Sequence, residues 1–189
     1  MSTDLKTLAE EANERLADAS AQEVLAWARE TFGDELVVTA SMADGALPHL
    51  AAEAAPGVDV LFLDTGYHFA ETIGTRDAVE STMELSIVDV TPKRTVAEQD
   101  AEFGKDLFSR DPGLCCQMRK VEPLAETLGD YEVWITGVRR EDSWLRAGTP
   151  VVELGDALIG AIVLRGLRHG ELDTEFAHRL ADLLLPVRS

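Results

Sequence analysis

The chain has 189 residues, of which 46% are hydrophobic, and its 35 acidic and 17 basic residues give a formal charge of −18. This composition is sufficient for one hydrophobic core. The strongly negative charge argues against a nucleic-acid partner, because nucleic acids are bound by clustered Lys and Arg. The sequence has no apolar run of about 18 residues that would span a membrane. Its charged N-terminus is unlike a signal peptide, so we expect a cytoplasmic protein.

Hydrophobic periodicity predicts helices that alternate with short apolar strands. Apolar residues at helical spacing predict two helices at the start, over 3–18 and 21–31. The further predicted elements are, in chain order, strand 35–40, helix 41–55, strand 58–64, helix 69–82, strand 85–91, helix 95–104, helix 119–129 and strand 131–137. Strands that alternate with helices predict an α/β fold with a parallel sheet covered on both faces.

Three polar segments that contain glycine follow apolar runs of the predicted sheet. They are 39–45 (TASMADG), 63–69 (LDTGYHF) and 136–142 (TGVRRED). Because ligands of such sheets bind at the carboxyl ends of the strands, these segments are the candidate binding loops.

The first two loops allow both a functional and an ordinary interpretation. Ser41 and its neighbouring amides could bind phosphate oxygens at a helix start, or Ser41 could simply cap the predicted helix 41–55. In that helix Pro48 is compatible only with the first turn. Asp64, Thr65 and Gly66 could contact a ligand or form an Asx turn, and the spacing alone favours the turn.

The third loop places Gly137, Arg139 and Arg140 at a strand end. Paired guanidinium groups suit phosphate or sulfate because they donate in bidentate fashion. The alternative is an exposed pair neutralised by the following Glu141 and Asp142.

The only two cysteines of the sequence are adjacent, at Cys115 and Cys116, and Arg119 and Lys120 follow within one helical turn. Neighbouring thiolates repel each other, so a metal or the two cations would stabilise them. The alternative is two small buried residues that happen to be cysteine. We expect this segment, CCQMRK, to lie just before the N-terminus of the helix predicted over 119–129.

Together these segments resemble the assimilatory adenylyl-sulfate and phosphoadenylyl-sulfate reductases, and most closely the actinobacterial adenylyl-sulfate branch. The resemblance extends over about residues 20–152 and rests on VVTASMADGALPHL, VLFLDTGYHFAETIGTRDAVES, DPGLCCQMRKVEPL and WITGVRREDSWLRAGTPVV. It implies an α/β fold of the adenine nucleotide alpha-hydrolase-like (PP-loop) type.

The resemblance also implies a reaction and roles for residues. A cysteine thiolate would attack the sulfur of adenylyl sulfate, AMP would leave, and thioredoxin would release sulfite. Cys115 and Cys116 would supply half of the ligands of a [4Fe–4S] cluster, with Lys120 between the cluster and the substrate. The implied nucleotide site is 39–45, with Ser41, and 63–66; Arg139 and Arg140, with Arg146 beyond them, would bind the sulfate.

The sequence departs from the family pattern after about Val152. Family members have a further Cys-x-x-Cys pair and a catalytic cysteine, whereas this sequence has no third cysteine. We therefore expect a domain over 1–152 and a divergent helical tail over 153–189, the product of truncation or replacement, and a chain that lacks the catalytic nucleophile. Residues 155–189 hold 5 acidic and 4 basic residues, a much weaker acidic bias than the rest of the chain.

Two other functions stay open at this point. The chain could be a catalytically inactive protein that binds a sulfonucleotide or AMP, or another PP-loop enzyme such as a sulfate adenylyltransferase small subunit. The second is disfavoured because such enzymes need a fuller SGGxDS-type loop than SMADG. A homo-oligomer is compatible with the sequence.

Overall fold

A computed structural model of the chain describes residues 2–137, 148–154 and 162–164. Its helices are α1 (Ser2–Leu16), α2 (Ala21–Phe32), α3 (Ala46–Ala54), α4 (Ala70–Thr82), α5 (Val96–Phe103), α6 (Leu107–Arg110), α7 (Pro112–Cys116) and α8 (Glu122–Leu128). Its strands are β1 (Leu36–Thr39), β2 (Val58–Leu63), β3 (Leu85–Val90), β4 (Val133–Thr136), β5 (Val152–Leu154) and β6 (Ile162–Leu164).

The strands form one six-stranded sheet in the order β3-β2-β1-β4-β6-β5. Strands β1 to β4 are mutually parallel, which confirms the predicted α/β fold with a parallel sheet. Strand β6 differs from that prediction because it runs antiparallel to β4 while pairing in parallel with β5. The predicted tail 153–189 contributes β6 to the sheet, and its residues from 165 onward lie outside the described residues.

Alternation along the strands gives the sheet two different faces. The first face carries Leu36, Val38, Val60, Phe62 and Ile135, which pack with apolar residues of helices α1 to α4. The second face carries Val37, Leu61, Val90 and Trp134, which pack against α7, α8 and the turn between them.

Local sequence explains where several helices begin. Ser20 and Thr95 each form a capping box, with Glu23 and Glu98 respectively, and so begin α2 and α5. The prediction that Ser41 begins a helix is wrong, because α3 starts at Ala46 after Gly45. Met42 is buried with φ of +55°, a left-handed conformation that a right-handed helix cannot include. Pro48 consequently falls in the first turn of α3, where its missing N–H costs nothing.

The cysteine segment is helical rather than the lead-in to a helix. A continuous helical rod runs from Pro112 to Leu128, with a π-helical turn at Gln117–Val121 between α7 and α8. The prediction that Cys115 and Cys116 lie before a helix N-terminus is therefore wrong. The helix begins earlier because Asp111 caps it, accepting a hydrogen bond from the Leu114 amide at 2.9 Å, and Pro112 favours its first turn.

The N-terminal helix ties down the far edge of the sheet. Asn13 of α1 donates to the Val152 carbonyl at 2.6 Å and accepts from the Val152 amide at 2.9 Å. One side chain thus satisfies both backbone groups of a strand residue, which a neighbouring strand would otherwise do. Among the described residues, no helix combines the length and apolar character that crossing a membrane requires.

Candidate functional site

The carboxyl ends of the central strands bring together most of the described residues that the sequence singled out. Strand order reverses between β1 and β4, because β2 and β3 lie on one side of β1 and β4 on the other. Such a switch point opens a crevice at the carboxyl ends of the strands. Ser41 follows β1, Asp64 follows β2 and Gly137 follows β4 at this edge. Arg139, Arg140 and Arg146 lie outside the described residues.

The loop after β1 is held by short polar contacts of its own. The Ser41 hydroxyl accepts from the Ala43 amide at 3.5 Å, and Asp44 accepts from the Ala46 amide at 2.9 Å. Ser41, Ala43 and Asp44 are exposed while the Met42 side chain is buried in the first-face core. The loop therefore presents its polar groups at the rim of the crevice and is anchored by Met42.

The loop after β2 forms the turn that the ordinary interpretation predicted. Asp64 accepts from the Gly66 amide at 2.9 Å, an Asx turn, and Gly66 has φ of +75°. His68 contacts the Leu63 carbonyl at 2.7 Å, and its ring lies 4.9 Å from that of Phe62. His68 thus packs the loop onto the strand.

Arg119 is buried beneath this loop, with 3% of its surface exposed. Its guanidinium donates to the Thr65 carbonyl at 2.5 Å, to the Arg94 carbonyl at 3.2 Å and to the Gln99 side chain at 3.1 Å. It also lies 5.3 Å from the centre of the Tyr67 ring, whose hydroxyl accepts from Gln99 at 3.2 Å. We call Arg119, Gln99, Tyr67 and the two carbonyls the Arg119 network.

The two cysteines face different surroundings although they are neighbours in sequence. Both are free thiols, with 7% of Cys115 and 4% of Cys116 exposed. Cys116 packs in the apolar cluster of the second face. Cys115 instead interacts with Arg119, Gln99 and Lys120. This divergence follows from the roughly 100° that separates successive side chains of a helix.

Burial governs the titration of this part of the molecule. It raises the pKa of the Cys115 thiol, and the nearby Arg119, Gln99 and Lys120 oppose that effect without cancelling it. Burial is also the largest cause of the raised pKa of Tyr67, to which the negative charge of an ionised Cys115 contributes. In the protein alone, Cys115 is therefore a protonated thiol at neutral pH, unlike an activated nucleophile.

The cysteine pair is too small a donor set for a four-thiolate cluster. The described residues include no group of three or more His, Cys, Asp and Glu side chains that could hold a metal ion. Since the sequence has two cysteines, the chain could offer a [4Fe–4S] cluster two of the four thiolates that such clusters normally use. The residues present do not fit that cluster unaided.

Sequence reasoning missed Gln99 and Tyr67 and assigned Arg119 only to the thiolates. A signal for Gln99 was available: it follows Val96 by three positions and precedes Phe103 by four, which puts an amide on the inward side of α5. Gln99 is fully buried, and buried amides need partners. That these partners are Arg119 and Tyr67 could not be read from spacing, since they come from other elements.

Comparison with known proteins identifies the family. Residues 35–164 match the family model described as the phosphoadenosine phosphosulfate reductase domain. The chain belongs to this family. The resemblance drawn from the motifs is thereby confirmed.

Two proteins that are similar in sequence to this chain are named adenosine 5'-phosphosulfate reductase. The protein from Streptomyces coelicolor is 60% identical over 149 residues, covering 79% of this chain and 63% of the relative. The protein from Mycolicibacterium smegmatis is 55% identical over 154 residues, covering 82% of this chain and 65% of the relative. This chain thus matches less than two thirds of the length of either relative.

A solved structure supports the fold. The phosphate complex of phosphoadenylyl-sulfate reductase from Candida auris superposes with a TM-score of 0.63, covering 94% of this chain and 86% of that one. At 24% sequence identity this similarity shows the fold alone. It agrees with the PP-loop-like α/β architecture that the motifs imply.

Proposed function

We propose that this protein acts in the thioredoxin-dependent reduction of adenylyl sulfate to sulfite and AMP. The observation that carries the proposal is the meeting of Ser41, Asp64 and Gly137 at the switch point of a reductase-family sheet. Ligands of open α/β sheets bind at such a point. We place the reaction in the cytoplasm, with thioredoxin as the protein partner.

The substrate would lie across the carboxyl ends of β1, β2 and β4. The loop that contains Ser41 and the turn formed by Asp64, Thr65 and Gly66 would bind the nucleotide, and Gly137 would let it approach the end of β4. An ideal Cβ at Gly137 would come within 3.2 Å of the Leu47 side chain, so that position has little room for a larger residue.

The sulfate end of the substrate needs a local group of cations because the chain as a whole carries −18. We assign Arg139, Arg140, Arg146 and Lys120 to this task. Lys120 is half-buried near Cys115, whereas the buried guanidinium of Arg119 is already bonded to protein groups and is not counted among the sulfate ligands.

The chemistry is a transfer of the sulfonate group to sulfur followed by reduction. A thiolate forms a bond to the substrate sulfur while the bond from that sulfur to the phosphate oxygen breaks, and AMP leaves with the electron pair. A thioredoxin thiolate then attacks the thiol-derived sulfur of this thiosulfonate, and sulfite leaves with the electron pair of the broken S–S bond. The second thioredoxin thiol attacks the resulting mixed disulfide, which releases the first thiolate and forms the thioredoxin disulfide. Two electrons pass from the dithiol to the substrate sulfur.

The attacking thiol is assigned to neither cysteine of this chain. Both thiols are buried, and the pKa of Cys115 is raised rather than lowered. We propose instead that Cys115 and Cys116 are two of the ligands of a [4Fe–4S] cluster whose remaining ligands come from outside this pair. No step of the reaction is assigned to the cluster.

Binding is tested by titration calorimetry of the purified chain with AMP and with adenylyl sulfate. We expect saturable heat with both ligands. In an Arg139→Gln, Arg140→Gln double variant, the dissociation constant for adenylyl sulfate should rise at least about tenfold, which corresponds to a loss of about 1.4 kcal/mol of binding free energy. Arg29→Gln is the matched control, because Arg29 of α2 pairs with Asp34 and lies away from the switch point. No heat with the wild-type chain at millimolar ligand would overturn the proposal.

A second candidate, sulfonucleotide binding without turnover, is favoured by the burial and the number of the cysteines. This second candidate predicts that the 189-residue chain binds adenylyl sulfate and releases no sulfite with thioredoxin, thioredoxin reductase and NADPH, whereas the reductase proposal predicts that sulfite is released. Sulfite release that Cys115→Ser or Cys116→Ser abolishes would contradict this assignment and would identify one of the pair as the nucleophile.

A further inference from the structure

The helix that carries the cysteines is linked to the nucleotide loop by the side chain of Arg119. Arg119 lies three residues after Cys116, within the π-helical turn. It donates from Nε to the carbonyl of Thr65, 54 positions earlier in the chain. A movement of the loop after β2 would therefore be transmitted to the helix that holds the thiols.

We propose that Arg119 is a positioning residue that couples the nucleotide loop 64–67 to the cysteine helix. This inference rests on the proposed function and extends it, since it says how the two halves of the site are held in register. Arg119 acts through Thr65 and Gln99 and does not touch the substrate.

The burial of the guanidinium supports this role. Arg119 and Gln99 have 3% and 0% of their surfaces exposed, so breaking their bonds would leave a buried charge and a buried amide without partners. Two of the three carbonyl-type oxygens that Arg119 bonds belong to the backbone, and they lie in different loops, at Thr65 and Arg94. A guanidinium donates from several nitrogens held in one plane, a geometry that the single nitrogen of an ammonium group cannot reproduce.

Gly66 gives a second, independent reason. An ideal Cβ at this position would lie 3.0 Å from Arg119 Nη2 and 3.0 Å from the Val96 side chain. The sequence suggested that Gly66 lets a ligand approach the backbone, whereas the structure shows that its missing side chain makes room for Arg119. Its φ of +75° would also strain any other residue.

Gln99 completes the connection to the cysteine. Its side-chain oxygen accepts from Arg119 at 3.1 Å, its amide nitrogen donates to Tyr67 at 3.2 Å, and the same side chain interacts with Cys115. Tyr67 belongs to the nucleotide loop and Cys115 to the helix. Gln99 of α5 therefore provides a second connection between the nucleotide loop and the cysteine helix, in addition to the direct one through Arg119.

The experiment is site-resolved hydrogen exchange of the full chain, with and without AMP, in wild type, Arg119→Met and Arg119→Lys. Segment 21–32 of α2 is the internal reference for changes in global stability. Leu16→Ala is the matched control variant, since Leu16 of α1 is buried in the first-face core, outside the reference segment and away from the network.

Without ligand, we expect Arg119→Met to raise exchange in 64–68 and in 112–121 relative to 21–32. With AMP, we expect the wild type to gain protection in 112–121 beyond that of 21–32, and Arg119→Met to lose this gain. In Arg119→Met, the dissociation constant for AMP should rise by about tenfold or more relative to the wild type. Arg119→Lys should retain less than half of the AMP-dependent protection that the wild type gains in 112–121, and Leu16→Ala should retain all of it.

The outcomes separate the two proposals. If the wild type binds no AMP, the proposed function fails, and the ligand-free exchange still supports or rejects the link between loop and helix. If the wild type binds AMP and both variants bind it equally, with the same protection of 112–121, the coupling by Arg119 is wrong. Should Arg119→Met fail to fold, Arg119→Lys provides the same comparison.

Discussion

The two faces of the sheet do different work although the same strands build them. The first face is packed by four helices with apolar side chains, and its sheet residues contribute no buried polar contact among those described. The second face also buries Trp134, whose indole donates to the Thr39 hydroxyl at 2.7 Å, and Tyr131, which donates to Asp59 at 2.8 Å. Cys116 is buried there too. The fold thus combines an apolar face with one that holds polar and thiol groups as well as apolar ones.

The largest effect should come from matched cavities in the two faces. Phe62→Ala on the first face and Leu124→Ala on the second should each lower the free energy of unfolding by about 2–5 kcal/mol. Both residues are almost completely buried. Urea unfolding measures the loss. Only Leu124→Ala should speed the alkylation of Cys116, because Leu124 shares its cluster. Equal acceleration by Phe62→Ala, after correction for stability, would contradict the separation of the faces.

The polar contact of the second face should show itself in alkaline solution. The pKa of Tyr131 is raised, first by burial and then by its bond to the Asp59 carboxylate. A tyrosine in the unfolded chain titrates near pH 10, so the contribution of Tyr131 is complete below about 10 and is lost as the pH rises toward its folded value.

Tyr131→Phe should therefore cost about 1 kcal/mol at neutral pH, the size of one net hydrogen bond, and less above pH 10. Chemical unfolding at pH 7 and pH 10.5 measures this change. Tyr67, whose pKa is also raised, is present in both proteins and cancels from the comparison. A penalty that grows with pH would contradict the assignment.

An effect of similar size is expected where the cysteine helix begins. Asp111→Ala removes the side chain that caps α7 and should cost about 1 kcal/mol. The same loss of the cap should increase hydrogen exchange in 112–116 more than in 122–128. Asp111→Asn is the control, since an amide oxygen can still accept the Leu114 hydrogen bond.

The smallest effect belongs to the charged rim of the first face. Arg76 of α4 bonds to Asp89 of β3 at 2.6 Å and to Glu80 at 2.5 Å, near the surface. Asp89→Asn should cost no more than about 1 kcal/mol, as for exposed ion pairs, and less in high salt. Thermal unfolding from low to high salt measures this loss of unfolding free energy. A loss as large as that of Leu124→Ala would contradict the assignment of Asp89 to an exposed ion pair.

The comparison also shows how much the sequence predicted. The order and type of the first four strands and of most helices between them follow from period, because each strand is a short apolar run and each predicted helix repeats at helical spacing. The sequence did not predict α6 and α7. The predictions that failed lie where a single residue changes the local path. Met42 turns the chain into the left-handed region before α3, and Asp111 begins the cysteine helix at Pro112, about two turns before the predicted start at residue 119.

The site divides in the same way. Motifs identified Ser41, Asp64 and Gly137 as strand-end residues, and the parallel sheet brings them to one edge. Spacing alone could not distinguish Arg119 from Lys120, which are adjacent cations in the sequence, and only the family resemblance singled out Lys120. The structure separates them because the helical rod turns Arg119 inward, under Thr65, and leaves Lys120 half-buried.

By itself, the sequence determined the α/β class, the family and the candidate loops, because these depend on local periodicity and on short runs of neighbouring residues. Only the tertiary structure decided that β6 joins the sheet in the opposite direction, that the thiols are buried, and that Gly66 makes room for a guanidinium. These features depend on contacts between residues far apart in the chain, where the free energy of burying a charge or a thiol is set by partners that no local pattern contains.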